Sequence, residues 1–284
     1  RRCSSSARKR GAGAITYRRS GTNGSKIKKG RVFVGTIDGV PVGISHISID
    51  KPHEVWLRGA RTDPNYRRMG VATAITEKCL EYAKQKSAKV ARLSTESDNI
   101  AAQAVIQRLG FKPIAEFVEM TTKNITKESS KNSRWARETE IDDTWNYLQT
   151  SETYRKAAGL YTVLFQWFSL EKQDLKWFIK QRHVMLHTNI KGKIDGLILI
   201  DDTTAREWHE NTIQTCYVDG DYDTTIDMIK LLKSYCYALG IKRIYGFTCN
   251  QKPTITALER LGFELPDSIE IVYEKKIFNK KHAE

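Results

Sequence analysis

The chain of 284 residues has no apolar run long enough to cross a bilayer. Its longest such stretch, Gly159 to Leu170, is broken by Thr162, Gln166 and Ser169, and a spanning helix needs about 20 apolar residues. A transmembrane protein is not expected. Its five cysteines, Cys3, Cys79, Cys216, Cys236 and Cys249, form no CxxC pair, and no histidine cluster has zinc-ligand spacing, so no metal site is expected. The odd, wide spacing suits reduced thiols in a cytoplasm. No secretory n-region and h-region open the chain, and the absence of an initiator Met is compatible with a fragment or a processed end. Neither GxxxxGK[ST] nor GxGxxG occurs, which excludes the two common glycine-rich phosphate loops.

Acidic residues are absent from one stretch. Residues 1–31 hold eleven Lys and Arg and no Asp or Glu, so only +3 of the net charge of +14 belongs to the other 253 residues. This Gly/Ser-rich segment is too poor in apolar residues to order alone. It reads as a flexible basic tail, with non-specific contact to anionic surfaces. Specific nucleic-acid binding is not expected of the near-neutral remainder.

What is present is a mixed α/β pattern. Strands are expected at 31–37, 42–49 and 54–61, with an Asp38-Gly39 hairpin turn between the first two. A loop over 62–68 leads into a helix to about Lys86, with Ala72, Ile75, Cys79, Leu80 and Ala83 at helical spacing. A strand at 90–95, a helix capped at 97–99 and ended by Gly110, and a strand at 114–121 follow. Residues 121–133 are polar and aperiodic, which marks a boundary.

The second half echoes the first. Gln107-Arg108-Leu109-Gly110-Phe111 recurs as Glu259-Arg260-Leu261-Gly262-Phe263, an offset of 152. Ile37 to Gly43 is echoed by Ile190 to Gly196 and Tyr82-Ala83 by Tyr237-Ala238, at offsets of 153 and 155. Such a period is that of a duplicated domain. The domains are expected at 31–123 and 134–284, joined by a linker over 124–133, with 1–30 outside them. Helices at 141–148 and 170–180 precede the first hairpin of the second copy. The aromatic run Tyr161, Phe165, Trp167, Phe168, Trp177 and Phe178 reads as packing. Trp208-His209 reads as a plain loop.

The segment Thr62 to Thr73 carries the chemistry. A strand enters, a basic loop follows, and small residues open a helix whose first amides lack intrahelical acceptors. With the helix dipole and Arg67 and Arg68, this suits a diphosphate. It reads equally as an ordinary strand-to-helix turn with solvated arginines.

Arg67-x-x-Gly70-x-Ala72 resembles the [RQ]xxGx[GA] acyl-CoA signature of the GNAT N-acetyltransferase superfamily. Arg61-Thr62-Asp63-Pro64-x-Tyr66 before it resembles the same segment, and Asn99-x-x-Ala102 with Arg108-Leu109-Gly110-Phe111 resembles the family's later helix. The resemblance covers residues 31–121 and is weaker in the second half. It implies two tandem acyl-CoA N-acyltransferase domains, the second degenerate. It implies acetyl-CoA as donor, its pyrophosphate on the backbone of Arg67, Arg68, Met69, Gly70, Val71, Ala72 and Thr73. Arg61, Thr62 and Asn99 would face the pantetheine arm. A primary amine on a small molecule or peptide would attack the thioester directly.

A base must deprotonate the amine, and Glu54 and His46 are the leading candidates, with Asp63 and Glu96 behind them. Each reads equally as a surface charge or a satisfied polar residue. Arg58 stands where some relatives carry Glu, and Ile106 where many carry a Tyr acid, so no general acid is assigned. The loop Val218 to Thr225 has three aspartates and no arginine, so the second copy is not expected to bind CoA. The expectation is a cytoplasmic, monomeric N-acetyltransferase; the alternative is a non-catalytic acyl-CoA-binding regulator.

Overall fold

The computed structural model describes residues 16–18, 30–202 and 211–277. Residues 1–29 of the basic segment, apart from one short strand, and Trp208-His209 lie outside the described residues. The chain divides into two units. One holds the described residues up to Leu93, Gln103–Phe111 and the chain from Glu274. The other holds Ser94–Ala102 and Lys112–Tyr273.

In the first unit the strands β1 (Thr16–Arg18), β2 (Gly30–Ile37), β3 (Val40–Lys51), β4 (Glu54–Thr62) and β5 (Val90–Glu96) follow one another in space, and only β4 and β5 run parallel. The β2–β3 turn takes positive φ at both Asp38 (49°) and Gly39 (80°), the backbone that suits the strand twist and that Asp-Gly tolerates. Helix α1 (Val71–Gln85) buries Val71, Ile75, Cys79 and Ala83, an i,i+4 stripe. Gly43 on β3 makes room for it, because a Cβ there would meet Val71 Cγ1 at 2.6 Å. Helix α2 (Ile100–Arg108) follows β5 and ends at Gly110 with φ 83°.

The same element order recurs. In the second unit β10 (Val184–Thr188), β11 (Ile194–Asp201), β12 (Thr212–Asp219), α6 (Tyr222–Ala238), β13 (Arg243–Cys249), α7 (Lys252–Arg260) and β14 (Glu270–Lys276) repeat β2 to α2 and the strand after it. The parallel pair is β12 with β13. Gly196 seats α6 as Gly43 seats α1, since a Cβ there would strike Thr224. The core sets Met228, Ile229, Leu232 and Cys236 of α6 against Ile198, Ile200, Ile213 and Ile244.

Ahead of this repeat stand β7 (Ser133–Trp135), α3 (Ile141–Thr150), α4 (Glu152–Lys156), the hairpin β8 (Leu160–Val163) and β9 (Gln166–Ser169), and α5 (Lys172–Lys180). The aromatic run divides: Trp167 and Phe178 are buried, while Phe165 and Trp177 are half exposed. Both expected helices, near 141–148 and 170–180, are present.

The units do not follow the halves of the sequence. Strand β6 (Lys112–Thr122) comes after α2, yet it pairs antiparallel with β13 in the second unit. The chain from Glu274 belongs to the first unit, where Ile277 N donates to Lys89 O at 2.8 Å. Residues 124–130 form neither helix nor strand, and the segment is pinned to α6. There Glu128 N donates to Ser234 Oγ, and the amides of Lys131 and Asn132 donate to Asp227 at 2.7 and 2.9 Å.

Candidate acyl-CoA site

The loop after β4 is built by its own side chains. Asp63 N donates to Val42 O, and the Asp63 carboxylate accepts from Asn65 N at 2.8 Å, fixing a 3-10 turn over Pro64–Tyr66. Arg68 then takes φ 61° and Gly70 φ 81°. These left-handed residues turn the chain into α1 without a side-chain cap. The first intrahelical bond runs from Ala74 N to Gly70 O. The amides of Val71, Ala72 and Thr73 therefore have no acceptor within the helix. No acidic residue lies in this first turn. Arg67, Arg68 and Met69 are exposed, and nothing lies within 4 Å of a Cβ placed on Gly70. The result is an exposed, positively charged helix start whose first amides lack helical acceptors, suited to an anion. Before it, Arg61 and Thr62 end β4, with Arg61 bonded to Ala60 O.

β4 and β5 are in register only at Glu54–Val90, Val55–Ala91 and Trp56–Arg92. Arg61 and Thr62 thus lie on the part of β4 beyond the paired stretch. Glu54 stands at the paired end, where its carboxylate accepts from Arg92 Nη1 at 2.9 Å; the side chains are 15% and 7% exposed. His46 on β3 lies opposite Arg58 and its Nδ1 accepts from Arg58 Nε at 3.0 Å. Burial first, and the Arg58 guanidinium second, hold this imidazole below its ordinary value. It is a neutral ring with its proton on Nε2, because Nδ1 is the acceptor. Asn99 lies in the second unit, and its Oδ1 caps α2 by accepting from Ala102 N at 3.2 Å. Ile106 is buried.

The corresponding loop of the second copy is built differently. Asp221 caps α6 through Thr224 N at 2.9 Å. Asp219 is 3% exposed and accepts from Tyr147 Oη at 3.0 Å, Ser151 Oγ at 2.5 Å and Tyr217 Oη at 2.7 Å. Burial and the Asp219 charge push both phenols up. α3 and α4 thus supply donors that consume this carboxylate from inside the protein. The sequence showed three aspartates here, but not that Tyr147 and Ser151, about 70 positions earlier in the chain, bond Asp219.

Residues 6–111 match the acetyltransferase (GNAT) family. An uncharacterized N-acetyltransferase of Methanocaldococcus jannaschii is 32% identical over 91 residues, which are 28% of this chain and 38% of that protein. The match thus spans well under half of that relative's length. A GCN5-related N-acetyltransferase from Sphaerobacter thermophilus has a similar fold, with TM-score 0.59 and 12% identity over 89% of this chain and 82% of that one. A putative acetyltransferase from Thermoplasma acidophilum gives TM-score 0.51 and 18% identity, over 86% and 78%. Residues 6–111 are thus similar to the GNAT acetyltransferases, and the fold over most of the chain is similar to that of solved GNAT structures.

Proposed function

We propose that the protein is an N-acetyltransferase that binds acetyl-CoA at residues 61–73 of the first unit and transfers the acetyl group to a primary amine. One contrast carries the reading: α1 begins uncapped, beside two arginines, whereas α6, its counterpart, begins capped by Asp221. An uncapped, basic helix start leaves its amides to a ligand, and the diphosphate of CoA has the matching charge. The strand end at Arg61 and Thr62 is proposed to face the pantetheine arm. An amide of that strand end would steady the oxyanion as the amine nitrogen bonds the thioester carbon. The C–S bond then breaks, the thiolate leaves with the electron pair, and the amine proton passes to a base or to water. A thiol of pKa near 8.5 is a competent leaving group without an acid at Ile106.

Glu54, tied to Arg92, acts in this reading as a structural anion. His46 keeps a base role only when Arg58 releases Nδ1. Two features favour a second reading, a non-catalytic acyl-CoA-binding regulator: the engagement of both base candidates, and the apolar Ile106. The four described cysteines are unpaired and buried, which supports a reducing cytoplasm. No helix among the described residues is long and apolar enough to cross a membrane. A monomer is proposed.

Calorimetric titration of acetyl-CoA tests the site. One site per chain, lost in Gly70→Glu, is expected. Two sites, or one that survives Gly70→Glu, would overturn the assignment. Binding without thiol release over a panel of amines would favour the regulator.

A further inference from the structure

The β6–β13 register places four side chains of the second unit on one face of its sheet. Phe247 faces Glu119, and Tyr245 faces Thr121. Met120 and Ile244 alternate to the other face and join the core under α6. The β8–β9 hairpin covers part of the first face. Its Trp167 lies 5.0 Å from Phe247, and Phe165 lies 5.1 Å from Phe247 and 6.3 Å from Tyr245. Phe165 remains 50% exposed, so the aromatic stack ends at an open edge.

Carboxylates stand at that edge. Tyr245 is only 6% exposed; its hydroxyl interacts with the Glu119 carboxylate without well-formed hydrogen-bonding geometry, and the Glu270 charge acts on it. Glu270 Oε2 is buried and also lacks a partner, although the same carboxylate interacts with Ser94. Glu96 adds a third negative charge acting on both glutamates. Arg243, stacked over the Tyr245 ring at 5.2 Å and bonded to Thr121 Oγ1, offsets part of this charge at Glu119. A buried carboxylate oxygen without a hydrogen-bond partner and a phenol held only loosely by Glu119, beside excess negative charge and a half-open aromatic wall, describe a place that a cationic donor would complete.

We propose that Glu119, Glu270, Tyr245 and Phe165 form a binding site for an alkylammonium group. Its three N–H donors match the two carboxylates and the phenol oxygen, and the face of Phe165 attracts the charge and covers the alkyl stem. An organic cation fits better than a metal ion, since no group of three ligating side chains among the described residues is close enough to hold one. Burial first raises both carboxyls; the Glu96 charge adds to it at Glu119, and the Glu96 and Glu119 charges add to it at Glu270, with the Tyr245 contact and Arg243 opposing at Glu119 and Ser94 at Glu270. A bound cation favours their ionised forms, so binding releases protons.

The proposal does not rest on the acyl-CoA reading, and its test leaves CoA out. 1,4-Diaminobutane is titrated calorimetrically into the full chain, with magnesium chloride as a control. Saturable binding in the millimolar range or tighter is expected. Glu119→Gln and Glu270→Gln should each weaken it by about tenfold or more, and Phe165→Ala less. Affinity should rise with pH through the carboxyl range, and the heat should depend on the buffer's ionisation enthalpy. Circular dichroism melting confirms that the variants fold. Absence of saturable heat, affinity unchanged in both glutamine variants, or equal binding of magnesium would each overturn the proposal.

Discussion

Arg92 and Glu274 are 182 positions apart and meet inside the first unit, where Arg92 Nε donates to Glu274 Oε2 at 2.9 Å. The same guanidinium holds Glu54, so two carboxylates depend on one cation. Removing one partner of such a buried network leaves uncompensated charge. Arg92→Met is expected to cost about 3–5 kcal/mol in urea unfolding. Adding Glu54→Gln and Glu274→Gln to that variant should recover part of the loss. A null effect of Arg92→Met would show that water satisfies both carboxylates.

Arg68 separates stability from binding in the loop proposed to hold acetyl-CoA. Arg68 holds φ 61°, where a side chain costs about 1 kcal/mol. Arg68→Gly relieves that strain but gains unfolded-state entropy, so net stability should change by less than about 1 kcal/mol. Acetyl-CoA affinity should nonetheless fall, because one fixed charge is gone. Parallel melting and calorimetry would check this, and unchanged affinity would remove Arg68 from the site.

Asp219 bears on the second copy. Asp219→Ala strands the hydroxyls of Tyr147, Ser151 and Tyr217, and at about 1–3 kcal/mol for each buried group left unpaired it should be strongly destabilising. Asp219→Asn keeps an acceptor and should cost less. Neither variant should acquire a second acetyl-CoA site, because Asp221 still caps α6. Binding stoichiometry decides that point.

Glu270 bears on stability against pH. Its folded carboxyl is raised, so its burden is present above the folded pKa and vanishes as pH falls through that value toward the unfolded one. Glu270→Gln is therefore expected to raise the melting temperature at neutral pH, with the gain fading in acid. A gain constant with pH would mean that charge is not the cause.

The cysteines predict chemical inertness. Burial pushes the thiols of Cys79, Cys236 and Cys249 up to about 12. At pH 8 the thiolate fraction is then on the order of one in ten thousand, and iodoacetamide should reach these positions only on unfolding. Mass spectrometry of natively labelled protein would check this.

Much of the first copy was legible before its structure. Asp38-Gly39 and the stripe from Val71 to Ala83 are local signals, set by turn chemistry and helical period. Gly70 was legible as a residue that opens the helix and leaves the backbone accessible, but its left-handed φ was not. Glu54 and His46 were readable as polar residues on strands, but their engagement was not. Arg92 lies 38 positions from Glu54, and the pairing of Arg58 with His46 depends on the exact β3–β4 register. The destination of β6 was hidden for the same reason, since alternation in a strand says which face is buried and not which neighbour it joins. Phe165 and Trp167 look alike in sequence, and only the hairpin between β8 and β9 separates an exposed ring from a buried one. The acidic edge at Glu119 and Glu270 joins strands roughly 150 positions apart, which no local pattern reveals.

The docking of residues 274–277 in the first unit has a temporal side. During synthesis the chain through α2 emerges with the Arg92 guanidinium and the backbone of Lys89 still waiting for Glu274 and Ile277. At about 5–20 residues per second, the wait is roughly 10–30 seconds. For that interval the first unit exists as an incomplete sheet, exposed to pairing with the wrong strand. The duplication thus makes the earliest unit to be made the last to be finished.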